Sequence, residues 1–172
     1  LPAGLDGDAD FRWIVVRNLA AQGLIDEGDI ERVRRADDTL SGRLAALAAR
    51  AAVPDVASKG WAWTELTRNP AVTNYEALAL GGSFWSAPDP TLIGAYVDRV
   101  PDAIARMSSW MGDDALERVV KAFFPKAMVS HETAAMAARA LERDDLTPGV
   151  RRALTDQQHE LAEALRSRSA FG

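Results

Sequence analysis

The feature that most constrains this chain is the period of its apolar residues, which is helical along nearly the whole sequence and nowhere alternates as a half-buried strand would. In the clearest stretch Leu116, Val119, Val120, Phe123 and Phe124 fall at i, i+3, i+4, i+7 and i+8, while Asp114, Glu117, Arg118 and Lys121 take the other face. Leu40, Leu44, Leu47, Ala48 and Ala51 repeat the pattern, as do Val150, Leu154, Leu161 and Leu165 with a wetter interior turn. Segments that each carry one apolar stripe bury it by packing helix on helix, so the fold class is all-α.

Start and stop signals divide the helices. Asp26, Asp38, Ser130 and Thr147 are N-cap candidates, because their side-chain oxygens can accept hydrogen bonds from unpaired first-turn amides. Pro148, Pro54 and Pro90 suit first helical positions. Gly23, Gly28, Gly82, Gly112 and Pro125 are expected at ends or turns, and Pro70 blocks continuation of the helix that carries Trp61, Trp63 and Leu66. The expected spans are 8 to 22, 27 to 36, 39 to 52, 54 to 67, 73 to 83, 90 to 110 with a break near Pro101, 113 to 124, 131 to 142 and 148 to 167. That makes about eight or nine helices with short turns, lengths that suit stacked antiparallel pairs. The first helix carries two apolar rows, Phe11, Val15 and Leu19 beside Trp13, Val16 and Ala20, which predicts packing between two neighbours. No strict sequence repeat is visible, yet paired helices of similar length favour an α-solenoid, a superhelix of the HEAT or armadillo type.

A length of 172 residues fits one helical domain, 1–172. The polar lead-in over 1–8 reads as a linker remnant of a longer polypeptide. A net charge of −5 argues against a nucleic-acid or acidic-membrane surface, since such sites need surplus basic groups to replace counterions. There is no cysteine, so disulfides and thiolate metal sites are excluded. No apolar run approaches the ~20 residues of a membrane helix and no signal segment precedes Phe11, which together predict a cytoplasmic protein.

Catalytic chemistry is scarce. His131-Glu132 begins like the HExxH of zinc peptidases, but the fifth position is Ala135, and His159 lies far along the chain. Ser130 as a helix cap, with Glu132 in the first turn, accounts for the same residues. Asp113, Asp114 and Glu117 match the DDxxE pattern of all-helical magnesium enzymes. Acids are favoured in a first turn in any case, Glu117 is placed to pair with Lys121, and no second acidic motif follows. Serines are scattered, no GxSxG occurs and neither histidine has a Ser or Cys elbow near it, while Gly81-Gly82-Ser83 lacks the context of a phosphate loop and reads as a turn ending a helix. No catalytic and no metal-ligating residue is assigned, and no cofactor is expected in this chain.

One stretch carries a resemblance. In GGSFWSAPDPTLIGAYVDRVPDAIARMSSWMGDDALERVVKAFFPKAMVSHET, from Gly81 to Thr133, the FW pair at Phe84 and Trp85, the AYVDR segment at Ala95 to Arg99 and the FPxxxVSxET run from Phe124 to Thr133 fall in one order. This resembles the C-terminal helical domain of bacterial aminopeptidase N, in the zinc metallopeptidase family that includes the endoplasmic-reticulum aminopeptidases. The resemblance runs from about Phe11 to Arg166 and is most specific between Phe84 and Thr133. It implies a superhelical bowl that closes the peptide chamber over an upstream HExxH catalytic domain of the same polypeptide. Zinc and the release of N-terminal amino acids from peptide substrates would belong to that domain, since HExxH and GxMEN are absent here.

Within that picture Trp85, Tyr96 and Arg99 are the peptide-chamber candidates. The two rings stand next to helix breaks, where a partly exposed face could meet peptide side chains, although core packing is the ordinary role of such rings. Arg99 could reach a peptide carboxylate or carbonyl, against the simpler expectation of an ion pair with Asp98 or Asp102. Two other classes remain open from the residues alone: a free-standing helical-repeat scaffold for a partner protein, and a small magnesium enzyme using Asp113 and Asp114.

Overall fold

A computed structural model of the chain describes residues 7–171. Most of the expected linker, residues 1–6, therefore lies outside the described residues. Ten α-helices and no strand are found among the described residues: α1 Ala9–Ala21, α2 Glu27–Ala36, α3 Leu40–Ala52, α4 Val56–Arg68, α5 Asn74–Phe84, α6 Thr91–Val97, α7 Val100–Met107, α8 Asp113–Phe123, α9 His131–Leu141 and α10 Pro148–Phe171. The count exceeds eight or nine because the span 90 to 110 is two helices. Pro101 sits in the first turn of α7, where its missing N–H costs nothing, so it opens a new helix instead of kinking an old one.

The caps follow side-chain chemistry. Asp26 and Asp29 form a reciprocal capping box at the start of α2. Ser130 caps α9, and the Thr147 hydroxyl accepts from the Val150 amide at 3.4 Å. At α3 the cap is Thr39 and not Asp38. The Asp37 carboxylate holds the Thr39 hydroxyl at 2.7 Å, leaving it to accept from the Gly42 amide, while Asp38 is drawn to Arg34 at 3.3 Å. Pro54 lies outside α4, whose cap is Asp55. Pro90 occupies the N-cap position of α6, ahead of its first residue Thr91. Gly23, with φ at +70°, does end its segment, whereas Gly28 lies inside α2 and Gly82 inside α5. The reason in α5 is its neighbour. Gly81 approaches Phe123 of α8 so closely that an added Cβ would stand 3.1 Å from the Phe123 Cβ.

Packing is that of a superhelical array of helix pairs. In one layer α1 packs on α3, α3 on α5, α5 on α8 and α8 on α10. The other layer runs from α4 through α7 to α9, with α6 beside α9 and α2 on α3. Alanine makes the centre of the first layer possible. Ala49, Ala51 and Ala52 of α3 are fully buried, so this helix approaches its neighbours closely on opposite sides. Its Ala46, Ala49 and Val53 join Trp13, Val16, Ala20 and Ile30 in a small core. Its Ala51 belongs to the main core instead, with Leu66, Phe84, Met107 and Phe123. α1 uses only one of its two apolar rows: Trp13, Val16 and Ala20 are buried, while Phe11, Val15 and Leu19 stay half-buried and Ile14 is exposed. The expected second neighbour of that helix is not among the described residues.

Candidate functional site: an aromatic wall with an arginine edge

The densest cluster of rings lies where α4, the end of α5, α6 and α8 meet. Phe84 touches the rings of Trp63, Trp85, Tyr96 and Phe123, with centroids 4.9 to 5.7 Å apart. The contacts to Trp85, Tyr96 and Phe123 are edge-to-face, the arrangement ring quadrupoles favour. Trp85 is buried, and its indole N–H donates to the Phe123 carbonyl, a group that α8 leaves unpaired at its C-terminal end. Tyr96 is half-buried, its ring 5.0 Å from that of Trp63.

Of the three chamber candidates, Arg99 alone is exposed. Its guanidinium lies 4.8 Å from the Trp63 ring centroid and 4.9 Å from that of Tyr96. The ion pair expected with Asp98 or Asp102 is not formed. Asp98 is taken by Arg139 of α9 and Asp102 by Arg143, in the segment just after α9, at 3.2 Å. The guanidinium thus stands at cation–π distance from two rings, and among the described residues its N–H edge meets no acceptor. The edge borders a cleft of about 140 Å³ formed by α4 and α7.

Beneath the rings sits a group the sequence did not single out. Lys59 of α4 is fully buried, with its ammonium 2.7 Å from the Ala51 carbonyl, 2.7 Å from that of Phe84 and 2.8 Å from that of Ser86. The Ala52 carbonyl stands further off, at 3.4 Å. These are oxygens at or just past the ends of α3 and α5, where carbonyls have no intrahelical donor and the helix dipole is negative. Burial pushes the ammonium down from 10.5 to about 8, with Asp55 pulling the other way.

Neither motif of the chain makes a metal site. His131 is exposed at the start of α9, where the Ser130 hydroxyl accepts from the Thr133 amide at 3.2 Å. The Glu132 carboxyl is held below its usual range by its own backbone amide and the Ser130 hydroxyl, as befits a first-turn acid. His159 stands on α10 beside Glu163 at 3.6 Å. Glu117 is claimed by Lys121 at 2.8 Å and Arg152 at 3.1 Å, which hold its carboxyl low and remove it from a DDxxE cage. Among the described residues no three His, Cys, Asp or Glu come together, so the zinc implied by the resemblance has no fit here. No helix among the described residues is long and apolar enough to cross a membrane.

Residues 3–163 match the family model described as the ERAP1-like C-terminal domain. An aminopeptidase N of Streptomyces lividans is 26% identical over 167 residues, which cover 97% of this chain and 20% of that protein. The chain thus spans about a fifth of the length of the relative it matches.

Proposed function

The chain belongs to the ERAP1-like C-terminal domain family, and from that premise we propose that it is the non-catalytic C-terminal part of a zinc-dependent aminopeptidase. In this reading it closes the peptide chamber over an upstream catalytic domain of the same polypeptide and limits which peptides reach it. The observation that carries the proposal is the pairing of near-complete coverage of the chain with a fifth of an aminopeptidase N.

Hydrolysis of the N-terminal peptide bond and the metal that supports it are assigned to the upstream domain. The part left to this chain is steric. A stack of helix pairs is stiff, so it can exclude folded proteins and present one wall to the distal part of a bound peptide. Trp85 and Tyr96 stiffen that wall and Arg99 supplies its contact with the peptide. The cytoplasm is the proposed compartment, to be checked by fractionation.

Two measurements test the reading. The purified chain should bind no stoichiometric zinc and cleave no aminoacyl-arylamide; robust activity from the chain alone sinks the proposal. In the full-length polypeptide, Arg99→Ala should raise KM for long peptides and leave arylamide hydrolysis unchanged. An equal loss on both substrates would mean that the residue acts through folding.

A further inference from the structure

The cleft between α4 and α7 is lined by Trp63, Thr67, Ala103 and Asp102 and by three arginines, Arg68, Arg99 and Arg106. All three arginines are exposed, and none has a carboxylate within 4.0 Å among the described residues. Other arginines of the chain hold acids, although Arg17 and Arg118, for two, do not among the described residues, so what distinguishes these three is that they line one cleft. Of those that do, Arg34 holds Glu31 through two nitrogens at 2.7 and 2.8 Å, and Arg50 reaches Glu27 at 3.0 Å. The one acid in the cleft wall, Asp102, is turned to Arg143 at 3.2 Å.

Three like charges gathered at one cleft repel one another, and surface arginines with freedom to move would spread apart or recruit acids. Here two constraints oppose that. Arg99 is held by its rings, and Arg68 belongs to the last turn of α4, where the C-terminal end of the helix dipole favours a cation. Arg106 lies in the last turn of α7, the helix whose N-cap is Arg99, so these two face Arg68 of α4 across the cleft. What the arrangement lacks is a planar or tetrahedral set of oxygen acceptors to take the free N–H edges. A guanidinium fork matches carboxylate and phosphate oxygens for that purpose.

We propose that this cleft is an oxyanion-binding site in which Arg68, Arg99 and Arg106 together hold a carboxylate or phosphate group. The acidic side chain of a peptide and free inorganic phosphate share the required chemistry. The site stands on the geometry of this chain and holds whether or not the chamber reading above is correct.

The test is titration of the full chain with inorganic phosphate, followed by the Nε–Hε resonances of its arginines. Saturable shifts are expected at Arg68, Arg99 and Arg106. Arg68→Gln and Arg106→Gln should each weaken binding about tenfold, the usual effect of losing one charge-assisted pair. Both side chains are exposed, so an unchanged thermal midpoint is expected to show that the fold is intact. Arg17→Gln, at an exposed α1 arginine also without an ion pair, should leave the affinity unchanged. A short acetylated peptide with one glutamate should displace phosphate where its glutamine counterpart does not, which assigns the site to acidic peptides. Phosphate binding that the glutamate peptide cannot displace supports the site and assigns it to the free oxyanion. Absence of saturable shifts, or a loss in Arg17→Gln equal to that in Arg68→Gln, overturns the proposal.

Discussion

Replacing Lys59 with Met tests the internal polar contact on which the second and third helix pairs converge. Met keeps much of the length of the side chain and removes the ammonium, so three carbonyls, those of Ala51, Phe84 and Ser86, lose donors now at 2.7, 2.7 and 2.8 Å. The ammonium has no accessible surface and two of its acceptors, on Ala51 and Phe84, are fully buried, while Ser86 is half-buried. At the low end of the net value of a hydrogen bond to a charged group, about 1.5 kcal/mol each, the loss is about 4.5 kcal/mol. The assay is urea unfolding followed by far-ultraviolet circular dichroism, with a drop in midpoint at unchanged slope as the expected result. For a chain of this size the thermal midpoint should fall by roughly 10 °C. A Lys59→Met variant within about 1 kcal/mol of the parent would refute the reasoning, for it would mean that the carbonyls find water or other donors at no cost.

The same lysine sets a pH dependence. Its folded pKa of about 8 lies below the ordinary 10.5, so between those values the unfolded chain binds more protons and this group makes stability rise with pH. The stability difference between parent and Lys59→Met should therefore widen across that interval, by up to about 3 kcal/mol, and a narrowing difference would contradict it. At the α5–α8 contact, Gly81→Ala should destabilise by about 1 kcal/mol or more, because its Cβ meets Phe123 at 3.1 Å. The adjacent Gly82→Ala has nothing within 4 Å and should stabilise by about 0.5–1 kcal/mol in the same unfolding assay.

What the sequence could reveal was set by distance along the chain. The stripe Leu116, Val119, Val120 and Phe123 is local, and all four residues are buried. Ser130 and Asp26 cap helices through contacts three residues away, within reach of a pattern. The break before Pro101 was visible, but whether it kinks one helix or separates two depends on what α6 and α7 each pack against. Lys59 gave no local signal at all. In VASKGWAW it resembles any solvated lysine, and its partners Phe84 and Ser86 lie 25 and 27 residues away. The ion pair expected of Arg99 fails for the same reason. Its neighbours Asp98 and Asp102 are each claimed by an arginine 41 residues further on, a ladder between helices that no local spacing reveals. Arg68 and Arg106 carry no motif, because an unpaired arginine is defined by acids that are absent.

Lys59 and the oxyanion cleft are joined by contacts. The lysine ammonium lies 5.5 Å from the centroid of the Phe84 ring, Phe84 packs on Trp63 and Tyr96, and those two rings hold the Arg99 plane. Because close-packed rings cannot shift independently, loss of the ammonium should disturb the orientation of Arg99 as well as the ends of α3 and α5. Lys59→Met, studied well below its own unfolding midpoint, should then bind phosphate several-fold more weakly, with the Arg99 Nε–Hε resonance displaced before any ligand is added. Val16→Ala serves as the comparison, since it lowers stability in the small core of α1 and α3, away from the ring stack. If both variants lose stability and neither changes the Arg99 resonance, the lysine only ties helix ends together and the ring stack sets the arginine by itself. A change confined to Lys59→Met would show that the buried charge and the surface charge form one mechanical unit.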